Sequence, residues 1–148
     1  MSNVQLKLRG VTSQDMGDLY EWRNSPEIRK NSFNSKPLSF DEHIKWFEKK
    51  SNDLDTVFYV AYFEKDKIGV IRFDMLNDAI KVNIMLNPDF TGKGLGTQLI
   101  RLGTQTLIGQ RCPGRPIIAE IKEDNIASKR AFEKAGFKAG QSGYVFDV

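Results

Sequence analysis

The chain has 148 residues, 40% of them hydrophobic and 28% charged, with a formal net charge of +3, which suits one globular domain with a real core. That charge is too small, and the basic residues too scattered, to indicate nucleic-acid binding; a single cysteine (Cys112) and a single histidine (His43) exclude an internal disulfide and a Cys/His metal site. Met1 to Arg9 has no apolar stretch of the signal-peptide kind, and no apolar run approaches the ~20 residues that span a bilayer, so a cytoplasmic protein without membrane association is expected.

In chain order, Val4, Leu6 and Leu8 alternate with polar residues and predict a first strand. Thr12 and Ser13 are candidate N-caps for a helix carrying Met16, Leu19 and Tyr20. That helix ends near Trp22-Arg23-Asn24, with Pro26 as the stop, and residues 25–38 read as a surface loop. Ser39 and Glu42 have capping-box spacing, and the helix they start places Phe40, Ile44 and Phe47 on one face. Thr56 to Phe63 is β-branched and aromatic and predicts a strand, paired through the turn at 64–67 with Ile68 to Met75. A third strand runs from Ala79 to Asn87 and ends at Pro88, which has no N–H to donate. A helix bearing Leu99, Leu102 and Leu107 follows, then a break at Pro113-Gly114. Ile117 to Ile121 is a strand, and Asn125 to Ala135 a helix closed by Gly136. Final strands are expected near Phe137 and from Tyr144 to Val148. Helices mixed with a largely antiparallel sheet make an α/β (α+β) layered domain.

The segment with most chemical content is Thr91-Gly92-Lys93-Gly94-Leu95-Gly96-Thr97, between a strand and a helix. Glycines let the backbone turn sharply and leave no Cβ in the way of a ligand. The first helical turn has unpaired N–H groups and a partial positive charge, which suit a phosphate or diphosphate. Neither the Walker pattern nor the dinucleotide pattern is present. The same glycines equally suit a tight connection with no ligand.

The turn follows an antiparallel meander, and there it resembles motif A of the GNAT superfamily of acetyltransferases, [Q/R]xxGx[G/A], with Thr91 in place of Gln or Arg. The run from Asn125 to Phe137 looks like motif B of that family, NxxSxxxYxKxGF, with Phe132 at the tyrosine position. The resemblance extends from Leu8 to Phe137 and implies one domain over residues 1–148. It also implies the GNAT fold, a mixed and mostly antiparallel sheet flanked by helices, with acetyl-CoA as cosubstrate. In such a fold Ile84, Met85 and Leu86 lie on a bulged, splayed strand that pairs with the pantetheine arm. The diphosphate would sit on N–H groups of Gly92, Lys93, Gly94, Leu95, Gly96 and Thr97. Asn125, Ser128 and Phe132 match the motif B positions next to the cofactor; Asn125 is equally a helix cap.

Acetyl transfer needs a neutral amine, so a base must take a proton. The resemblance implies a glutamate base before motif A, but Lys81 holds that position and Asn83 follows it. His43 and Glu120 are the candidate bases, each with the bland alternative of a solvated surface residue. Phe132 cannot protonate the leaving thiolate, which leaves Tyr144, a water, or departure of CoA as thiolate.

The segment Glu21 to Pro26, with the residues around His43, is similar to acetyltransferases of UDP-linked 4-amino sugars in the pseudaminic- and legionaminic-acid pathways. It is also similar to enzymes that acetylate ribosomal protein N-termini. The first likeness implies a nucleotide-linked amino sugar as acceptor, with Trp22 as stacking face, Arg23 on phosphate, Asn24 and Asn83 as hydrogen-bonding groups, and Trp46 lining the pocket. A core position for Trp22 and a surface ion pair for Arg23 are the alternatives. Three functions stand side by side: an amino-sugar N-acetyltransferase, a protein N-terminal or small-metabolite amine acetyltransferase, and a non-catalytic acyl-CoA-binding domain. A monomer and a homodimer are both compatible with the sequence.

Overall fold

A single sheet of seven strands organises the chain, and the computed structural model describes residues 5–111, 114–141 and 143–147. Val4, Cys112, Pro113 and Val148, each named above, lie outside the described residues. The elements are β1 (Lys7–Gly10), a 3₁₀ turn (Ser13–Asp15), α1 (Met16–Asn24), α2 (Pro26–Lys30), α3 (Phe40–Asn52), β2 (Thr56–Phe63), β3 (Asp66–Met75) and β4 (Ile80–Leu86). After a second 3₁₀ turn (Pro88–Phe90) come α4 (Leu95–Arg111), β5 (Ile117–Ala119), α5 (Ile126–Lys134), β6 (Lys138–Gly140) and β7 (Gly143–Phe146). Strand order is β1-β2-β3-β4-β5-β7-β6. Every neighbouring pair is antiparallel except β4 with β5. This is the mixed, mostly antiparallel sheet that the sequence predicts. Among the described residues no helix is long and apolar enough to cross a membrane.

The middle strands are buried on both faces, which is why they read as continuous apolar runs. Val57 and Ala61 of β2 and Ile71 and Phe73 of β3 pack with Leu99, Ile100 and Leu107 of α4. The alternate residues Phe58, Val60 and Val70 pack on the other face with Leu19 and Trp22 of α1 and Phe47 of α3. Contact with α4 is close. A Cβ on Gly103 would lie 2.7 Å from Cδ1 of Ile71, so glycine lets the helix settle on the sheet.

Two local readings change. Residues 25–38 are not all loop, because α2 opens that stretch. Pro26 stands at the start of α2, where a missing N–H costs nothing, and the Ser25 hydroxyl accepts from the Ile28 N–H at 3.4 Å. Proline thus ends α1 by starting the next helix. In α3 the Ser39 cap forms as expected, its hydroxyl accepting from the Glu42 N–H at 3.2 Å. The buried face of that helix, however, is His43 and Phe47, while Phe40 is 45% exposed.

A buried carboxylate ties the N-terminal elements to the sheet. Asp15 has no exposed surface; it accepts from Arg9 at 2.8 and 2.9 Å and from the Thr12 N–H at 2.8 Å, and it pairs with Lys67 at 2.8 Å. Burial alone would raise its pKa; the bonds from Arg9, Lys67 and Thr12 outweigh that and hold it well below the usual carboxylate range. A depressed folded-state pKa contributes stability that is fully present above the unfolded value of about 3.9 and is lost as pH falls below it. Asp15→Asn is therefore expected to destabilise the protein by about 2–3 kcal/mol at pH 7. Urea unfolding at pH 7 and pH 3 checks this, since the gap between wild type and variant must narrow at pH 3. An equal gap at both would mean that the lost term is not electrostatic.

Candidate active site

The site begins where two parallel strands part. β4 pairs with β5 only at Ile80↔Ile117 and Lys81↔Ile118, whereas β4 itself runs on to Leu86. From Val82 onward its β5 edge is open, and backbone groups there are free to pair with an extended ligand. No bulge produces the fork: the β3–β4 register is unbroken from Gly69↔Leu86 to Met75↔Ile80. The register shift that does occur is at Ala61/Tyr62 of β2. The expected bulge in this strand is therefore corrected. The strands part after Lys81↔Ile118, while Ala119, the last residue of β5, still pairs with Tyr144 of β7.

A cavity of about 1030 Å³ lies along this edge. Asn83 to Leu86 of β4 form one wall, the turn from Thr91 to Thr97 a second, and Asn125, Ser128 and Ala131 of α5 a third. The turn has the geometry its glycines allow. Gly92 and Gly94 have φ of 75° and 76°, and a Cβ on either would meet nothing within 4 Å. The N–H groups of Leu95, Gly96 and Thr97 open α4, ahead of the first residue that an intrahelical carbonyl can serve. Gly96 is needed for packing as well, its Cβ position lying 3.6 Å from Leu86 and 3.9 Å from Ala131. The one hydroxyl hydrogen of Thr91 lies between two acceptors, Glu27 of α2 at 3.3 Å and the Pro88 carbonyl at 3.1 Å, which brings α2 against the turn. These groups fit a diphosphate at the turn and a pantetheine arm along β4.

The rest of the cavity lining comes from α1, α3 and β3, with α2 between them and the turn. His43 is 1% exposed, and its Nε2 lies 2.9 Å from the Met16 carbonyl. A carbonyl only accepts, so the neutral ring carries its proton on Nε2 and has its lone pair on Nδ1. Nδ1 is buried, without a partner, on a residue that lines the cavity. Burial pushes the pKa of His43 down, the Met16 carbonyl works against that, and the charge of Arg23 adds to the lowering. Arg23 donates from Nη2 to the Asn34 carbonyl at 2.8 Å, while its buried Nη1 has no partner. Arg72 lies over Trp46, 5.2 Å from the ring centroid, and is held by Asp74 at 3.2 Å.

Several expected site residues stand elsewhere. Trp22 is 7% exposed and packs in the core, so it offers no stacking face. Asn24 uses its amide on both backbone groups of Leu38, at 2.9 Å each, and so fixes the loop before α3. The Lys93 side chain lies over the Phe90 ring at 5.4 Å, outside the cavity. Phe132 is 2% exposed and packed edge-on against Phe137. Phe132 and Glu120 border a second, smaller cavity of about 250 Å³, which shares Asn83, Asn125 and Ser128 with the first. Glu120 is ion-paired with Lys81 at 3.0 Å across the fork. Tyr144 donates to Glu133 at 3.1 Å, away from both cavities, so its hydroxyl is not placed to protonate a leaving group there.

The cavity also holds residues that the sequence reading did not select: Lys30, Arg72, Arg130 and Lys134. Arg72 had a signal, as a charge inside the otherwise apolar run Ile68–Phe73. Arg130 and Lys134 had one too, spaced four apart on α5. With Arg23 they make five cationic side chains against one carboxylate, Glu27, around the cavity.

The family model of the acetyltransferase (GNAT) domain matches residues 5–138. The chain belongs to the GNAT acetyltransferase family. Its relatives include MJ1062, an uncharacterised Methanocaldococcus jannaschii protein, 29% identical over 95% of this chain but only 30% of the relative. The chain thus spans under a third of the length of that relative. Acetyltransferase PseH of Campylobacter jejuni is 27% identical, over 69% of this chain and 68% of its own. Among solved structures, a domain from Methanocaldococcus jannaschii superposes with a TM-score of 0.86 at 25% identity, covering 99% of this chain and 100% of that one. Acetyl-CoA is the cosubstrate that this family membership supplies.

Proposed function

We propose that this GNAT protein transfers acetyl from acetyl-CoA to the primary amine of a nucleotide-linked amino sugar. The observation that carries the acceptor reading is Arg23, whose buried Nη1 has no partner in a cavity lined by five cations and one carboxylate. A half-buried guanidinium with a buried, idle Nη1 group suits a phosphate oxygen. A polyamine or a basic peptide would bring more positive charge to Arg23, Lys30 and Arg72. The similarity to acetyltransferase PseH supports the same reading.

In this mechanism the N–H groups of Gly94 to Thr97 hold the diphosphate, and the free edge of β4 aligns the thioester. The N–H groups of Ile84 and Leu86 serve the oxyanion: with the Asn87 N–H on the Ile68 carbonyl and the Ile80 N–H on the Pro116 carbonyl, alternation along β4 turns Ile84 and Leu86 to the open edge and commits Met85 to β3. His43 Nδ1 takes the proton from the amine as its nitrogen bonds to the acetyl carbon. The C–S bond then breaks, and CoA leaves as thiolate because neither Phe132 nor Tyr144 supplies a proton. With a free thiol pKa of about 8.5, that departure needs no dedicated acid. Asn125 and Ser128 border the cavity where such a sulfur would lie; Asn125 uses Oδ1 as a cap for the Ser128 N–H at 3.2 Å, which leaves its NH₂ available.

The test is release of free CoA thiol with acetyl-CoA and three acceptor sets: UDP-linked 4-amino sugars, N-terminal peptides and polyamines. Turnover at least ~100-fold faster with the nucleotide sugars is expected, the discrimination that an unpaired buried charge commands. Preference for peptides or polyamines would overturn the acceptor. No turnover with any amine, together with tight acetyl-CoA binding, would favour a non-catalytic binding domain.

A further inference from the structure

We infer that Arg23 and His43 form a linked pair, in which an acceptor phosphate seated on Arg23 cancels the positive charge facing His43 and so turns His43 into an effective base only when an anionic acceptor is present. This rests on the acceptor reading above and adds to it a coupling between binding and proton transfer.

The geometry is that of two incomplete groups in one cavity. Arg23 Nη1 and His43 Nδ1 are both buried and both without a partner, on residues lining the same space. Arg23 is held by the Asn34 carbonyl and His43 by the Met16 carbonyl, each through its other nitrogen. Each side chain is thus held by one hydrogen bond and has one nitrogen spare. The remaining neighbours of His43 are aromatic: Tyr20 at 5.4 Å, Trp46 at 5.8 Å and Phe47 at 6.3 Å between centroids.

Charged groups around His43 are few among the described residues. Arg23 on α1 is the one whose charge lowers the affinity of His43 for a proton. Arg72 on β3 sits across Trp46 and is paired with Asp74, which Lys50 of α3 shares at 3.3 Å. On α2, Glu27 accepts from Thr91, and Lys30 lines the same cavity. Among the described residues no ion pair involves Arg23, and the charge of Arg29 on α2 adds to the positive field there. An incoming phosphate therefore meets a cation with no ion-pair partner, and its negative charge acts on His43 across the cavity that both residues line. By linkage the effect is mutual: the anion favours protonated His43, and protonated His43 favours the anion. A neutral amine lacking phosphate would find the ring a weaker base.

His43 is the only histidine, so its ring resonances report the pair without assignment. The experiment titrates tag-free protein with ¹⁵N-labelled imidazole, alone and saturated with UDP-N-acetylglucosamine. That ligand has a blocked amine and a diphosphate diester whose charge is constant across the range. The His43 midpoint is expected to rise by about one pH unit on binding. The ligand should in turn bind up to ~10-fold more tightly at pH 5 than at pH 8. In Arg23→Gln the midpoint should start high and not move, whereas Arg23→Lys, which keeps the charge, should leave the free-protein midpoint low. Calorimetric binding with an unmoved midpoint would overturn the linkage while leaving the acceptor reading intact. Failure to bind the ligand by a protein that acetylates other amines would overturn the phosphate seat itself.

Discussion

Gly94→Val should weaken acetyl-CoA binding by at least ~100-fold while leaving the protein folded. Two costs add. The φ of 76° at Gly94 lies in the left-handed region, which a β-branched side chain adopts at a cost of about 1–3 kcal/mol. Distorting the turn to relieve that strain moves the N–H groups that would hold the diphosphate. The second cost is occupancy. A Cβ at Gly94 has nothing within 4 Å, so it does not clash with the protein but projects into open space beside the cavity, where the proposed diphosphate would lie. A loss of about 3 kcal/mol is a factor of ~100 in Kd. Calorimetry with acetyl-CoA measures it, with Gly109→Ala as the control. Gly109 also has open space around its Cβ, but it lies within α4 and away from the cavity, so its variant should bind as wild type does. A Gly94→Val protein binding within threefold of wild type would mean that the diphosphate does not use this turn.

How much of this was legible in the chain depends on the range of the interaction concerned. β2 matches its expected bounds, Thr56 to Phe63, because a β-branched and aromatic run buried on both faces is a local signal. The Ser39 cap was equally local. Ser25-Pro26 was misread for a definite reason: proline ends one helix and starts another with the same missing N–H, and only the tertiary course of α2 decides between them. On α3 two apolar faces compete, and the one that turns inward carries His43, since Met16 of α1 supplies its partner from 27 residues away. The Trp22-Arg23-Asn24 segment shows the same limit. Three adjacent residues leave the helix in three directions, to core, cavity and loop, and composition cannot assign them. The glycine turn was readable because its geometry is in the backbone at Gly92 and Gly94. The cluster around Arg23 and His43 depends on side chains gathered from α1, α3 and β3, and only folding brings those together.

Loss of His43 is the other large effect expected. Replacing a positioned general base lowers turnover by about 10²–10⁴-fold, and acetyl-CoA affinity should hardly change, because His43 stands apart from the turn and α5. The ring is buried and occupies the Met16 carbonyl, so His43→Ala also opens a cavity and leaves an unpaired acceptor. His43→Gln, which keeps an N–H donor for that carbonyl, is the companion variant that separates chemistry from stability. Wild-type kcat/KM should rise with pH through a limb lying below the ordinary histidine value of about 6.5, since burial and Arg23 both disfavour the protonated ring in free enzyme. That limb should be absent in His43→Gln. Glu120→Gln supplies the opposing case. Glu120 is half exposed and already engaged with Lys81, so its loss should cost turnover less than ~5-fold, as expected for a surface ion pair. If instead Glu120→Gln lost the activity and His43→Gln retained both its rate and its pH limb, the proton would travel across the fork between β4 and β5, and the smaller cavity beside Lys81 would be the place where the amine reacts.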